Sequence, residues 1–118
     1  MDMDYRKLDV WDKSILLIKS LYPLIDRLPI QERFAMANQM RRAVTSISLN
    51  IAEGYNRNSA KELKYFLSIA RGSAAEVEAQ IIICIELAYF TEKDAHQALV
   101  LCDNVKAMLY RFIQKLEK

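Results

Sequence analysis

Two sets of residues in this chain have the types and spacing to do chemistry. The first is a polar line, Gln39, Arg42, Ser46, Asn50 and Glu53, recurring every three or four residues. Such spacing puts them all on one face of a helix. A second line answers it: Phe66, Ile69, Ser73, Glu76, Gln80, Ile83 and Leu87. If the chain reverses at Tyr55–Asn58, Glu76 falls level with Asn38, within long-side-chain reach of Arg41 or Arg42. Amides, hydroxyls and charges taken out of water must find partners. One reading is therefore a buried or interfacial network built from Gln39, Arg42, Ser46, Asn50, Glu53, Ser73 and Glu76. The other is a solvated face. The network is favoured, because Ile69, Ile83 and Leu87 would otherwise stand exposed beside it.

The second set is a basic stripe, Arg57, Lys61, Lys64 and Arg71, at intervals of 4, 3 and 7. Those intervals place the stripe on one outer face of the third helix, with Ser68 between. Clustered Lys and Arg neutralise phosphates and supply sequence-independent nucleic-acid affinity. Ordinary solubilising charge accounts for the same residues and is the slightly favoured reading, because small clusters of this kind are common.

Nothing in the spacing supports catalysis. His96 is the only histidine and falls in the first turn of a helix beside acids, which reads as a surface position. One histidine cannot supply the paired Glu-x-x-His ligands of a bundle di-metal site. Glu76 and Glu78 are two residues apart and point to different helix faces. No glycine-rich phosphate loop and no Ser/His/Asp ordering occurs. Cys84 and Cys102 sit at apolar helical positions without metal or disulfide spacing, and read as buried, reduced thiols. The expectation is a protein that is not an enzyme and needs no cofactor.

The elements that must position these residues are helices. Helix 1 is predicted from Asp9 to Arg27, with Val10, Trp11, Ile15, Ile18, Tyr22 and Ile25 in one stripe and Leu17, Leu21, Leu24 and Leu28 widening it. Pro23 should kink it near Lys19–Tyr22, and Pro29 ends it. Helix 2 is predicted from Gln31 to Glu53, on the seam Met40, Val44, Ile47 and Ile51, with Gly54 as a left-handed C-terminal cap. Helix 3 opens on the capping box Ser59-Ala60-Lys61-Glu62 and runs to about Ala88. Its seam is Leu63, Leu67, Ala70, Ala74, Val77, Ile81 and Ile85, interrupted by Gly72, which marks either surface tolerance or a close helix approach. Helix 4 opens at Thr91-Glu92-Lys93-Asp94 and continues on Ala95, Ala98, Cys102, Val105, Leu109, Phe112 and Leu116. Short connections make sequential helices antiparallel neighbours. The fold class is all-α, an antiparallel up-down-up-down four-helix bundle, in a single domain over residues 1–118.

Composition bounds the function. With 118 residues the chain suits one domain with a core of its own. Counted with Gly and without Tyr, its apolar share is near the top of the usual range of about 45–50%. The surplus suggests an oligomer interface. A net charge of +2 and a pI near 8.5 fall short of a dedicated nucleic-acid-binding domain, so any polyanion contact must come from local clustering. The opening MDMDYRKLDVW is charged and lacks an apolar signal core. The apolar run Ile81–Ile85 is far too short to span a membrane. The expected location is the cytoplasm, with no membrane partner.

Some of these residues form a familiar pattern. It starts with Tyr5-Arg6-Lys7-Leu8-Asp9-Val10-Trp11 and continues through Gln39-Met40-Arg41-Arg42-Ala43-Val44 and Ser46-Ile47-Ser48-Leu49-Asn50-Ile51-Ala52-Glu53-Gly54. It closes with Arg57, Ser59, Lys61-Glu62, Phe66-Leu67 and Gly72-Ser73-x-x-Glu76. The chain resembles the bacterial four-helix bundle proteins encoded in intervening sequences of large-subunit ribosomal RNA genes, a family that includes the accessory protein of diversity-generating retroelements. The resemblance covers nearly the whole chain. It departs at Ser48, where the family usually has a proline, and this bears on the bend expected in helix 2. The resemblance implies a ring-shaped homopentamer. For the retroelement members it implies binding to a reverse transcriptase and to nucleic acid. Two functions therefore stand side by side: an oligomeric accessory protein contacting RNA, DNA or a nucleic-acid enzyme through basic faces, and a purely structural homo-oligomer.

Overall fold

The structure, a computed structural model, describes residues 4–117. Met1, Asp2 and Met3 of the charged opening, and Lys118 at the end of the expected domain, lie outside the described residues. Four helices follow one another: α1 (Asp9–Ile25), α2 (Met36–Tyr55), α3 (Ala60–Glu86) and α4 (Glu92–Leu116). Short 3-10 turns at Tyr5–Lys7 and Ile30–Glu32 precede α1 and α2. No strand occurs among the described residues. Each helix packs on its neighbours in sequence, α1 closes against α4, and the diagonal pairs make no close backbone contact. This is the predicted bundle, 46 × 24 × 20 Å.

The predicted seams of α2, α3 and α4 form the core. Met40, Val44, Ile47, Ile51, Leu67, Val77, Ile81, Val105 and Leu109 are fully buried. Each such side chain contributes about 1.5–3 kcal/mol. In α1 the seam differs from expectation. Val10, Ser14, Leu17, Leu21, Leu24 and Ile25 are buried, whereas Trp11, Ile18 and Tyr22 only pack on the core edge. Helix 1 is apolar on several sides, so its periodicity could not choose between adjacent stripes. It passes through Pro23 and ends two residues later, at Ile25.

Helix 2 starts five residues later than predicted. Pro29 leads into the 3-10 turn, and Ala35 breaks helical geometry with φ −119° and ψ −103°. Glu32 then links three elements. Its Oε1 accepts from the Met36 N–H at 3.4 Å, and its Oε2 accepts from the Tyr89 hydroxyl at 2.8 Å. That bond, followed by burial, raises the Tyr89 pKa.

Gly54 does not form the predicted left-handed cap. No glycine has a positive φ among the described residues, and α2 continues to Tyr55. Gly54 instead allows α2 and α3 to touch. A Cβ there would lie 2.8 Å from Phe66 Cβ and 3.3 Å from the Leu63 carbonyl oxygen. Gly72 is the opposite case, with open space around it. The left-handed residue is Ala88, φ 62°, after the end of α3. The Ala88 N–H bonds the Ile85 carbonyl and the Tyr89 N–H bonds the Cys84 carbonyl, which is the Schellman arrangement.

Candidate nucleic-acid interface

The basic stripe is divided by the structure. Lys61, Lys64 and Arg71 lie on α3, but Arg57 precedes it, in the turn after α2. Arg57 pairs with Glu53 at 3.3 Å and lies 4.9 Å over the Phe66 ring, so it belongs to the α2–α3 side. Arg71 turns towards α4, where its guanidinium stacks 5.0 Å from the Tyr110 ring centroid. The antiparallel packing brings two further cations to this place. Lys106 bonds Glu78 at 3.0 Å, and with Arg71, Arg111 and Asp103 it lines a groove beside Tyr110 of about 480 Å³. A second groove of about 430 Å³ lies on the Gly72 side of the same tyrosine. The cluster at the exposed tyrosine is thus Arg71, Lys106 and Arg111, with Lys64 and Lys61 about two and three turns nearer the start of α3. Sequence reasoning missed Lys106, Tyr110 and Arg111 because they come from another helix. Only the α3–α4 register brings them to Arg71.

The polar line gathers where the α2–α3 pairing predicts. Gln39, Arg42, Ala43, Ser46, Ser73 and Glu76 line one shallow groove of about 320 Å³. Ser46 and Ser73 share a hydroxyl hydrogen bond at 2.9 Å. Asn50 Nδ2 donates to the Ser46 carbonyl at 2.8 Å and to Ser46 Oγ at 3.0 Å. The expected charge pairing is not formed within the chain. Arg41 turns to Asp26 at 3.1 Å, Arg42 is exposed without an ion pair among the described residues, and Glu76 accepts from Gln80 Nε2 at 3.3 Å. Gln80 is buried, and its Oε1 meets no donor among the described residues. Leu49, Ile69, Ile83 and Leu87 on these two helices stand exposed.

Ser48 proves to be a core residue. It is buried against Ser14 of α1, with the two hydroxyls 2.8 Å apart. Ser14 Oγ also donates to the Trp11 carbonyl at 2.7 Å. A hydroxyl has one proton, so Ser48 is the donor between the two serines. Helix α2 runs unbroken through this position.

Elsewhere the chemistry is quiet. Both cysteines are free and buried. Burial pushes the Cys84 thiol up to about 11 and the Cys102 thiol up to about 12. His96 is exposed. No cluster of three or more metal-ligating side chains occurs among the described residues. Nor is any described helix long and apolar enough to cross a membrane.

Fold and charged faces together define a small all-α bundle protein with a polar seam on α2–α3 and a cation cluster on α3–α4. The sequence model for the 23S rRNA-intervening sequence protein matches residues 6–111, and the chain belongs to that family. A similar crystal structure is that of a protein of unknown function from the S23 ribosomal protein family of Bacteroides thetaiotaomicron. Its TM-score is 0.81 at 26% identity, over 89% of this chain and 95% of that one. No curated protein matches the chain.

Proposed function

We propose that this protein is a non-catalytic accessory protein that assembles with copies of itself and holds RNA or DNA on its basic faces. The observation that carries the reading is that Arg71, Lys106 and Arg111 meet at Tyr110, with Lys64 and Lys61 continuing the basic line along α3 towards its start. Glu78, Asp103 and Glu117 neighbour Arg71, Lys106 and Arg111, so the positive excess of this face rests on Lys61 and Lys64. Copies of this face around an assembly raise the local concentration of sites, so weak contacts add up. A reverse transcriptase or another nucleic-acid enzyme is the further partner that the family resemblance implies.

The test is an anisotropy titration with RNA at low and moderate salt. It compares the native chain with a variant carrying Lys61→Ser, Lys64→Ser, Arg71→Ser and Arg111→Ser. The native chain should bind, more weakly as salt rises, because binding releases counterions. The variant should bind far less at unchanged oligomer size. Equal binding by both, or none by either, removes this reading. A purely structural homo-oligomer then takes its place, supported by the exposed Leu49, Ile69, Ile83 and Leu87 on the α2–α3 face.

A further inference from the structure

The groove between α3 and α4 on the Gly72 side of Tyr110 has a composition that phosphate binding does not require. Its floor is small: Ser68, Gly72 and Ala75 project from α3. A Cβ placed on Gly72 would meet nothing within 4 Å, so the groove is open over the backbone itself. Its walls are Tyr110 and Ile113, and Gln114 and Glu117 bring hydrogen-bonding groups. Tyr110 is 48% exposed although it is large and aromatic. The Arg71 guanidinium lies 5.0 Å from its ring centroid, so the pair offers adjoining flat surfaces. On the other side of the tyrosine, the groove of about 480 Å³ carries Arg111, with Arg71 and Lys106 shared by both.

A solvent-open slot of about 430 Å³ with a flat wall, an amide and cations at its rim suits a planar heterocycle joined to a phosphate. Aromatic rings and guanidinium planes are the surfaces on which unpaired bases stack. A duplex keeps its bases stacked on one another and offers only its backbone to such a slot. We propose, resting on the nucleic-acid reading above, that this groove accepts an unpaired base of a single-stranded polynucleotide. The base stacks on the Tyr110–Arg71 pair over Gly72, and the flanking phosphates meet Lys106 and Arg111. The acids Asp103 and Glu117, one in each groove, repel phosphate and leave the cations as the contact points for the backbone.

The probes are a fluorescently labelled unstructured RNA, the duplex formed with its complement, and single-stranded DNA of the same sequence. The native protein should bind both single strands more tightly than the duplex. Tyr110→Ala should weaken single-strand binding about five- to hundredfold, the range for losing one stacked base, while Tyr110→Phe should retain it. Gly72→Leu fills the slot, keeps every charge and suits a helix, so it should abolish the single-strand preference in a chain that still folds by circular dichroism. Binding that favours neither form and is unmoved in Gly72→Leu would overturn the base slot and leave the phosphate contacts standing. A strict requirement for RNA over DNA would overturn stacking as the source of the preference. Absence of binding to every probe at low salt would remove the nucleic-acid reading itself.

Discussion

Gly54 shows how far one missing side chain shapes this molecule. Helices α2 and α3 meet there so closely that a methyl group would lie 2.8 Å from Phe66 Cβ. Phe66 Cβ is fixed to the α3 backbone, so the helices themselves would have to part. Gly54→Ala should therefore destabilise the fold by about 1–2 kcal/mol, because overpacking outweighs the gain of roughly 1 kcal/mol in helix propensity. Gly72→Ala, made in open space, should keep that gain. Thermal melts of both variants read the difference, and a Gly54→Ala protein as stable as its parent would show that the close approach is not needed. The paired hydroxyls of Ser14 and Ser48 are a second residue-scale feature. Each serine looks like a polar break in an apolar pattern when met in sequence, and only the crossing of α1 on α2 shows that the two satisfy one another.

At the scale of elements, ends carry more information than middles. The Thr91 cap of α4 is complete: Thr91 Oγ1 accepts from the Asp94 N–H at 3.0 Å, and Asp94 accepts from the Thr91 N–H at 3.2 Å. The Ser59 cap is half of that, since Glu62 accepts from the serine hydroxyl rather than from its N–H. The Thr91 bonds, and then Arg27 at 3.1 Å, hold the Asp94 carboxyl below its ordinary value of 3.8. A carboxyl with a lowered folded pKa stabilises the fold above that ordinary value and loses the contribution as pH falls through the lowered one. Stability measured by denaturant titration should thus decline on acidification below about pH 4, and Asp94→Asn should flatten that limb. An unchanged acid limb in the variant would place the sensitivity elsewhere. At the other end of the same connection, Ala88 occupies the left-handed region, which costs an L-residue about 1–2 kcal/mol. Ala88→Gly should raise stability by about 1 kcal/mol, or roughly 4 °C in Tm, with the Schellman bonds retained. No rise would mean that the unfolded glycine's extra freedom cancels the relief.

These ends also mark how much could be read from sequence. The seams of α2, α3 and α4 were legible because each alternates apolar and polar faces at helical period. The seam of α1 was not, because Ile15, Ile18 and Tyr22 flank Leu17, Leu21 and Leu24 without a polar divide. The late start of α2 depends on Glu32 reaching Tyr89, 57 residues away, and no local pattern carries that. The candidate nucleic-acid site was half legible for the same reason. Spacing along α3 revealed Lys61, Lys64 and Arg71, while Tyr110, Lys106 and Arg111 became neighbours of Arg71 only through packing.

For the whole molecule, the α2–α3 face sets the remaining question. The Ser46–Ser73 bond fixes the level of the two helices. On one side of it, towards the turn, stand Leu49 and Ile69; on the other stand Ile83 and Leu87. Between them lies the groove with Arg42 and Glu76, where, among the described residues, Arg42 has no ion pair and the buried Gln80 Oε1 has no donor. A buried acceptor left without a donor costs about 1–3 kcal/mol, and clustered exposed apolar side chains mark interaction surfaces. A second copy of the chain would cover the apolar residues and could bring an arginine to Glu76. Light scattering at micromolar concentration should therefore give a multiple of 13.7 kDa, with five copies the number the family resemblance implies. Ile83→Lys should break the assembly without unfolding the bundle, because substitutions at exposed positions shift stability by only about 0.5 kcal/mol. Arg42→Ala should weaken the assembly while leaving the Tm of any dissociated chain unmoved. A native protein of 13.7 kDa in solution would show that the polar line is a solvated face and that the apolar residues beside it are simply exposed.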